Sequence, residues 1–301
     1  MLSLHTNNAA LSAQNAISKT QSNLSTSMTR LSTGYRINSA MDDAAGLQIA
    51  SRLKAQTSGM SVAMRNTQNS TAMLQTAEGA LDEVSNMLVR MKDLATQAAD
   101  ASSSAEDKTA MQSEYDALGK ELYNVLTNTT FGGSNLFGEP GAAAGDAATT
   151  AGTLASAMTF QIGASSSETM EVDLTSQLRG VLTAVSGLST NYVAPVAGTP
   201  TAAGTELTGA ANATIGELTT ALAKVGTLRS DLGAAANRLE HVNNNLSNIS
   251  TNTKQATGLI MDVDFASESA NMTSSQMLLQ AGTAMLKQSN SMSSMVMSLL
   301  Q

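Results

Sequence analysis

"LSTGYRINSAMDDAAGLQIA" runs from Leu31 to Ala50, and its reading decides the fold. A Gly beside a Tyr, then an Arg and two adjacent carboxylates, could outline a metal or catalytic loop. The same residues also suit a joint between two helices. Gly34 fits a helix end, where a left-handed or extended residue is needed. Ser39 is a good N-cap, and Asp42 stands three residues later, where a capping box needs an acceptor. Asp43 adds favourable charge to a first turn. Ala44, Leu47 and Ala50 then carry a helical spacing onward. A joint accounts for every residue that draws the eye, so Gly34, Ser39, Asp42 and Asp43 are assigned to it.

Downstream the three-four spacing is sustained. Leu74, Ala77, Leu81, Val84, Leu88, Met91, Ala95 and Ala98 keep it without a polar interruption. So do Leu218, Ala221, Val225, Leu228, Leu232, Ala235, Leu239, Val242, Leu246 and Ile249, and a third run holds Met111, Tyr115, Leu118, Leu122 and Val125. Repeats this long predict the seams of left-handed helical coils rather than isolated amphipathic helices.

The two ends differ from the middle. Residues 1–41 contain no Asp or Glu and have Lys19, Arg30 and Arg36 as their cations; residues 265–301 contain only Glu268 and Lys287. Leu4, Leu11, Ile17, Leu24, Met28 and Leu31 mark one apolar stripe. In the last segment Met272, Leu279 and Leu286 recur every seven residues, and Leu278, Met285, Met292 and Leu299 do so beside them. Two adjacent heptad positions make a wide apolar face that a lone helix cannot bury, and isolated helices are marginal in water. With Ser, Asn and Gln where a wetted surface would carry Lys and Glu, these ends read as built for burial between many copies.

Between the arms, "TTFGGSNLFGEPG" and an Ala/Gly/Thr-rich run over 129–157 read as loop. "MTFQIG" (158–163) and "TMEVDL" (169–174) alternate apolar and polar around "ASSSE", which predicts a β-hairpin. Residues 187–212 hold two of the three prolines and many small residues, and read as an exposed connection.

Composition narrows the chemistry. The net charge of −8 and the absence of a basic stripe argue against nucleic acid. With no Cys there are no disulfides or thiolate sites. His5 and His241 form no zinc motif, "FGEPGAAAG" lacks the ending of a phosphate loop, and "DVDFASE" lacks the spacing of a calcium loop. No apolar run spans a membrane, and the N-terminus does not read as a cleavable signal peptide. No catalytic residue, metal or cofactor is expected.

The extended joint "LSTGYRINSAMDDAAGLQIASRL" closely resembles the signature of bacterial flagellins. "LVRMKDLATQAAD" (88–100), "TTFGGSNLF" (129–137), the hairpin strands and "DVDFASESANMTSSQMLLQAGTAMLKQSN" (262–290) are similar to further flagellin segments in the same order. The resemblance implies a mainly α fold of long antiparallel helices. Residues 1–40 and 265–301 would form a terminal coiled-coil domain. Residues 41–186 and 213–264 would form a helical-rod domain with one small hairpin at 158–174, and 187–212 a short variable connection. It implies a filament subunit that polymerises with itself outside the cell for swimming or swarming, after export without a cleavable signal. Partners would be an export chaperone, the cap and junction proteins, and a host Toll-like receptor; the receptor positions carry over to Arg90, Leu94 and Glu114. The alternative within the family is a hook–filament junction protein or minor flagellin. Filament-core packing falls to Leu4, Leu11, Ile17, Leu24, Leu31, Met272, Leu278, Leu279, Met285, Leu286, Met292 and Leu299. Where the family has Lys and Glu, this chain has Met41 and Met261, and the expectation is that these two face each other in one copy or across two.

Overall fold

The computed structural model of the chain describes residues 7–138, 152–192 and 203–299. They divide into two compact units, one from residues 1–57 and 250–301, the other from 58–249. Leu4 lies outside the described residues, as do the side chains of Met292 and Leu299.

The first unit centres on two antiparallel helices, α1 (Asn8–Thr33) and α7 (Phe265–Leu299). Asn7 caps α1 by accepting from the Ala10 N–H at 3.0 Å. Gly34 ends the helix with φ 76, and its N–H reaches the Arg30 carbonyl. That left-handed turn is costly for any residue with a Cβ. Asp264 opens α7, accepting from the Ala266 N–H at 3.0 Å and the Ser267 hydroxyl at 2.7 Å. Asn7 donates to Ser289 at one end of the pair, and Arg30 meets Glu268 at the other.

The second unit is built on two long antiparallel helices, α2 (Ala44–Ala99) and α6 (Ala211–Met261), from residues 58–99 and 211–249. Arg229 on α6 clamps Glu78 and Asp82 on α2 at 2.8 and 2.9 Å. The seam from Leu74 to Ala98 is fully buried, as is the facing seam from Leu218 to Leu239. Periodicity fails only at the end, where Ile249 is exposed. α3 (Ala105–Asn128) starts from a Ser104–Asp107 capping box and adds Met111, Tyr115, Leu122 and Leu126 to the same core. α4 (Thr175–Ser186) adds Leu178, Val181 and Val185.

Two strand pairs complete this unit. β1 (Thr130–Phe131) and β2 (Ser134–Asn135) are joined by Gly132 and Gly133, with φ 61 and 86. Two positive φ values make the hairpin turn that matches strand twist, and glycine meets them at little cost. The sequence reading of this stretch as plain loop missed it. β3 (Met158–Gln161) pairs with β4 (Thr169–Val172), with Met158 opposite Val172. Met158, Met170 and Val172 point into the core.

The connection at 187–212 corrects another expectation. Leu188, Ser189, Asn191, Tyr192 and Leu207 are buried rather than exposed. The Tyr115 hydroxyl donates to the Leu188 carbonyl at 2.8 Å. Gln112 on α3 donates to Asp116 and Glu206 and accepts from the Leu207 N–H. Glu206 opens the one-turn helix α5 (Glu206–Gly209) and accepts from the Thr190 N–H at 2.7 Å. Burial pushes the Glu206 carboxyl up, but these donors outweigh it and hold it below the usual range.

Candidate assembly surface

The joint after α1 is fixed by the backbone. Tyr35 pairs with Asp262 as an isolated antiparallel bridge. The Arg36 N–H donates to the Met261 carbonyl, the Val263 N–H to the Gly34 carbonyl, and the Arg36 guanidinium to the Ile260 carbonyl. Asp42 then accepts from the backbone N–H groups of Asn38 and Ser39 and from the Ser39 hydroxyl, all through one oxygen. The Ser39 and Asn38 N–H groups, in that order, hold its carboxyl below the ordinary value. Arg30 lies 3.8 Å from Asp42 and 3.9 Å from Glu268, so one cation in the last turn of α1 faces the first turn of α7. Both charges suit the helix ends they occupy.

The cap differs from its sequence assignment. α2 begins at Ala44, and the Asp43 side chain accepts from the Gly46 N–H at 2.8 Å. Asp43 is therefore the N-cap, while Ser39 and Asp42 close the preceding turn. Both residue sets satisfy the same spacing rule, so the pattern alone could not choose between them.

The apolar stripe of α1 is also redrawn. The residues half-buried against α7 are Ala10, Ala13, Ile17, Thr20, Leu24 and Leu31, with Ser27 buried. Leu11 and Met28 point away, Leu11 being 54% exposed. On α7 the inward set is Met272, Ser275, Leu279, Gly282, Leu286 and Ser289. A Cβ on Gly282 would sit 2.9 Å from Ile17 Cγ1, so the seam closes on small residues. Of the predicted packing residues, Ile17, Leu24, Leu31, Met272, Leu279 and Leu286 lie in this seam. Leu11, Leu278 and Met285 do not; Leu278 and Met285 are 60% and 69% exposed.

Among the described residues, thirteen large apolar side chains are exposed: Leu11, Met28, Tyr35, Met41, Ile49, Val62, Val89, Ile249, Leu259, Phe265, Met277, Leu278 and Met285. All but Val62, Val89 and Ile249 belong to the first unit. Of its described residues, that unit holds just Ile37 and Ala50 among the buried apolar side chains. Its surface is thus the inverse of a monomer's, where contiguous apolar area is normally small. Sequence reading missed Met277, Leu259 and Phe265, which fall off the heptad positions it followed. Met41 is 97% exposed, so it does not pack on Met261 within one chain.

The three carried-over receptor positions separate. The Arg90 guanidinium donates to Glu114 at 2.7 and 2.8 Å on the surface between α2 and α3. Leu94 is 2% exposed, part of the core. It offers nothing to a partner directly, and its spacing one turn from Arg90 does not put it on the same surface. No group of three or more His, Asp or Glu side chains among the described residues could hold a metal ion.

Comparison with known proteins bears on this surface. Residues 4–140 match the bacterial flagellin N-terminal helical region, and residues 215–300 match the bacterial flagellin C-terminal helical region. The chain is 34% identical to Flagellin A of Vibrio anguillarum over 378 aligned positions that cover 100% of both proteins. It is 36% identical over 275 residues to the flagellin of Halalkalibacterium halodurans, covering 91% of this chain and 90% of that one. A solved structure from Vibrio parahaemolyticus, assigned as a flagellar hook-associated protein, shares the fold with a TM-score of 0.55 at 18% identity, covering 73% of this chain and 99% of that chain. With flagellin regions at both ends in the family's order and flagellin relatives aligned along the whole length, this chain belongs to the bacterial flagellins, a family of structural proteins rather than enzymes.

Proposed function

We propose that the helix pair α1–α7 and its joint are the surface through which copies of this filament subunit assemble, and that the pair becomes fully ordered only there. The observation that carries this is the concentration of exposed large apolar side chains in the first unit. Fully burying one Leu or Met contributes about 1.5–3 kcal/mol. Ordering a residue costs about 1–2 kcal/mol of backbone entropy. A half-buried pair therefore sits near balance alone, and neighbours that cover Leu11, Met277, Leu278 and Met285 tip it toward order. The outward faces of α1 and α7 differ in sequence, so a contact between unlike patches need not close and a helical polymer grows.

The same reading places the subunit in the extracellular filament; no described helix is long and apolar enough to cross a membrane. An export chaperone would cover the terminal stripes before assembly, and the cap and junction proteins would meet the same surface at the filament ends. A host Toll-like receptor would read the exposed Arg90–Glu114 pair, with Leu94 supporting it from beneath. Met41, exposed on the joint, would pack against a neighbouring copy. Full-length similarity to flagellins favours the filament subunit over the junction protein.

The test is polymerisation of purified protein, followed by sedimentation and electron microscopy, for the full chain and for a chain lacking 1–40 and 265–301. Long filaments from the first and soluble monomer from the second are expected. Full-length protein that stays monomeric with protease-resistant ends would overturn the reading.

A further inference from the structure

The chain has no Cys and no Trp but 18 Met, so thioether sulfur is its principal target for two-electron oxidants of the peroxide class. Among the described residues, the buried and the exposed methionines fall in different units, with Met64, Met73, Met261 and Met272 half-buried. Met60, Met87, Met91, Met111, Met158 and Met170 are buried in the second unit. Met28, Met41, Met277 and Met285 are exposed, and all four lie in the unit built from the chain ends. Met277 and Met285 stand on α7 with Leu278, each at least 60% exposed and outside the seam that faces α1.

We infer that Met277 and Met285 are oxidation sites that decide whether a copy can enter the polymer. The inference rests on the assembly role proposed for α1–α7. Hydrogen peroxide transfers one oxygen to the thioether: the O–O bond breaks, an S–O bond forms, sulfur is oxidised and the peroxide leaves as water. The product is a polar, chiral sulfoxide with a strong acceptor. In the free chain water solvates it at no cost. Against an apolar neighbouring copy it is buried without a donor, which is unfavourable. Once assembled, the same sulfurs are covered and resist the oxidant. Sulfoxide reductases specific for the two epimers reverse the change.

Wild-type protein tests this without a substitution. Monomer is treated with hydrogen peroxide to less than one sulfoxide per chain, polymerised, and separated by sedimentation. Peptide mass spectrometry then reads the sulfoxide at each Met in pellet and supernatant. Sulfoxide at Met277 and Met285 should be depleted several-fold from the pellet and enriched in the supernatant, with the difference erased by reductase treatment before assembly. Met64 and Met73, half-buried in the second unit and away from the proposed assembly surface, serve as the internal comparison. Equal occupancy at Met277 and Met285 in pellet and supernatant would overturn the inference while leaving the assembly reading intact. Untreated protein that gives no pellet overturns the assembly reading, and this inference with it.

Discussion

Asp42 gathers three hydrogen bonds and faces Arg30, so its charge state sets the joint. Its folded pKa is depressed, first by the Ser39 N–H and then by that of Asn38. The sign follows: its contribution is complete above the ordinary Asp value of about 3.9 and is lost as pH falls through the lower folded value. Amide exchange at Asn38 and Ser39, normalised to intrinsic rates, should therefore lose protection only in strong acid. In Asp42→Asn that protection should be reduced already at neutral pH and lose its acid dependence. Unchanged neutral protection in the variant would remove Asp42 from this role. Asp43 shows what single residues conceal. Ser39 and Asp43 both satisfy the start signal of a helix, and only the hydrogen bond to the Gly46 N–H distinguishes them.

At the scale of elements, the seam of α6 was legible because its apolar residues are large, evenly spaced and buried. The seam of α1 was legible only at Ile17, Leu24 and Leu31, for a physical reason. It closes through Ala10, Ala13, Ser27 and Gly282, which hydropathy does not flag, while its larger residue Leu11 faces out. The 187–212 segment escaped for another reason: it is held by Gln112, Asp116 and Glu206, and counting apolar residues cannot register burial secured by hydrogen bonds. The two kinds of helix surface predict opposite phenotypes. Leu228→Ala removes a fully buried side chain of α6 and should cost about 2–5 kcal/mol in a monomer unfolding curve. Leu278→Ala should leave that curve nearly unmoved yet raise the concentration needed for polymerisation by roughly tenfold, the equivalent of about 1.4 kcal/mol per contact. A Leu278→Ala chain that polymerises at the wild-type concentration would show that this face stays wet.

For the whole molecule, an assembly driven by apolar burial has a solvent signature. Sulfate or phosphate should promote polymerisation of the dilute chain, and urea should reverse it below the concentration that unfolds the second unit. Sedimentation across a sulfate series checks this; polymerisation that instead weakens steadily with any added salt would point to ion pairs as the driving contact. The acidic total charge is compatible with this behaviour, since so little of it lies on the chain ends. The fastening on either side of residues 193–202 has its own consequence. Glu206 holds Thr190, Gln112 holds Leu207 and Asp116 holds Gly204, so both margins of that stretch are tied to α3 or to each other. Glu206 thus works as a clasp, one carboxylate joining the Thr190 backbone to the Gln112 side chain of α3, so Glu206→Ala should loosen both margins while the buried Tyr115 face of α3 stays in place.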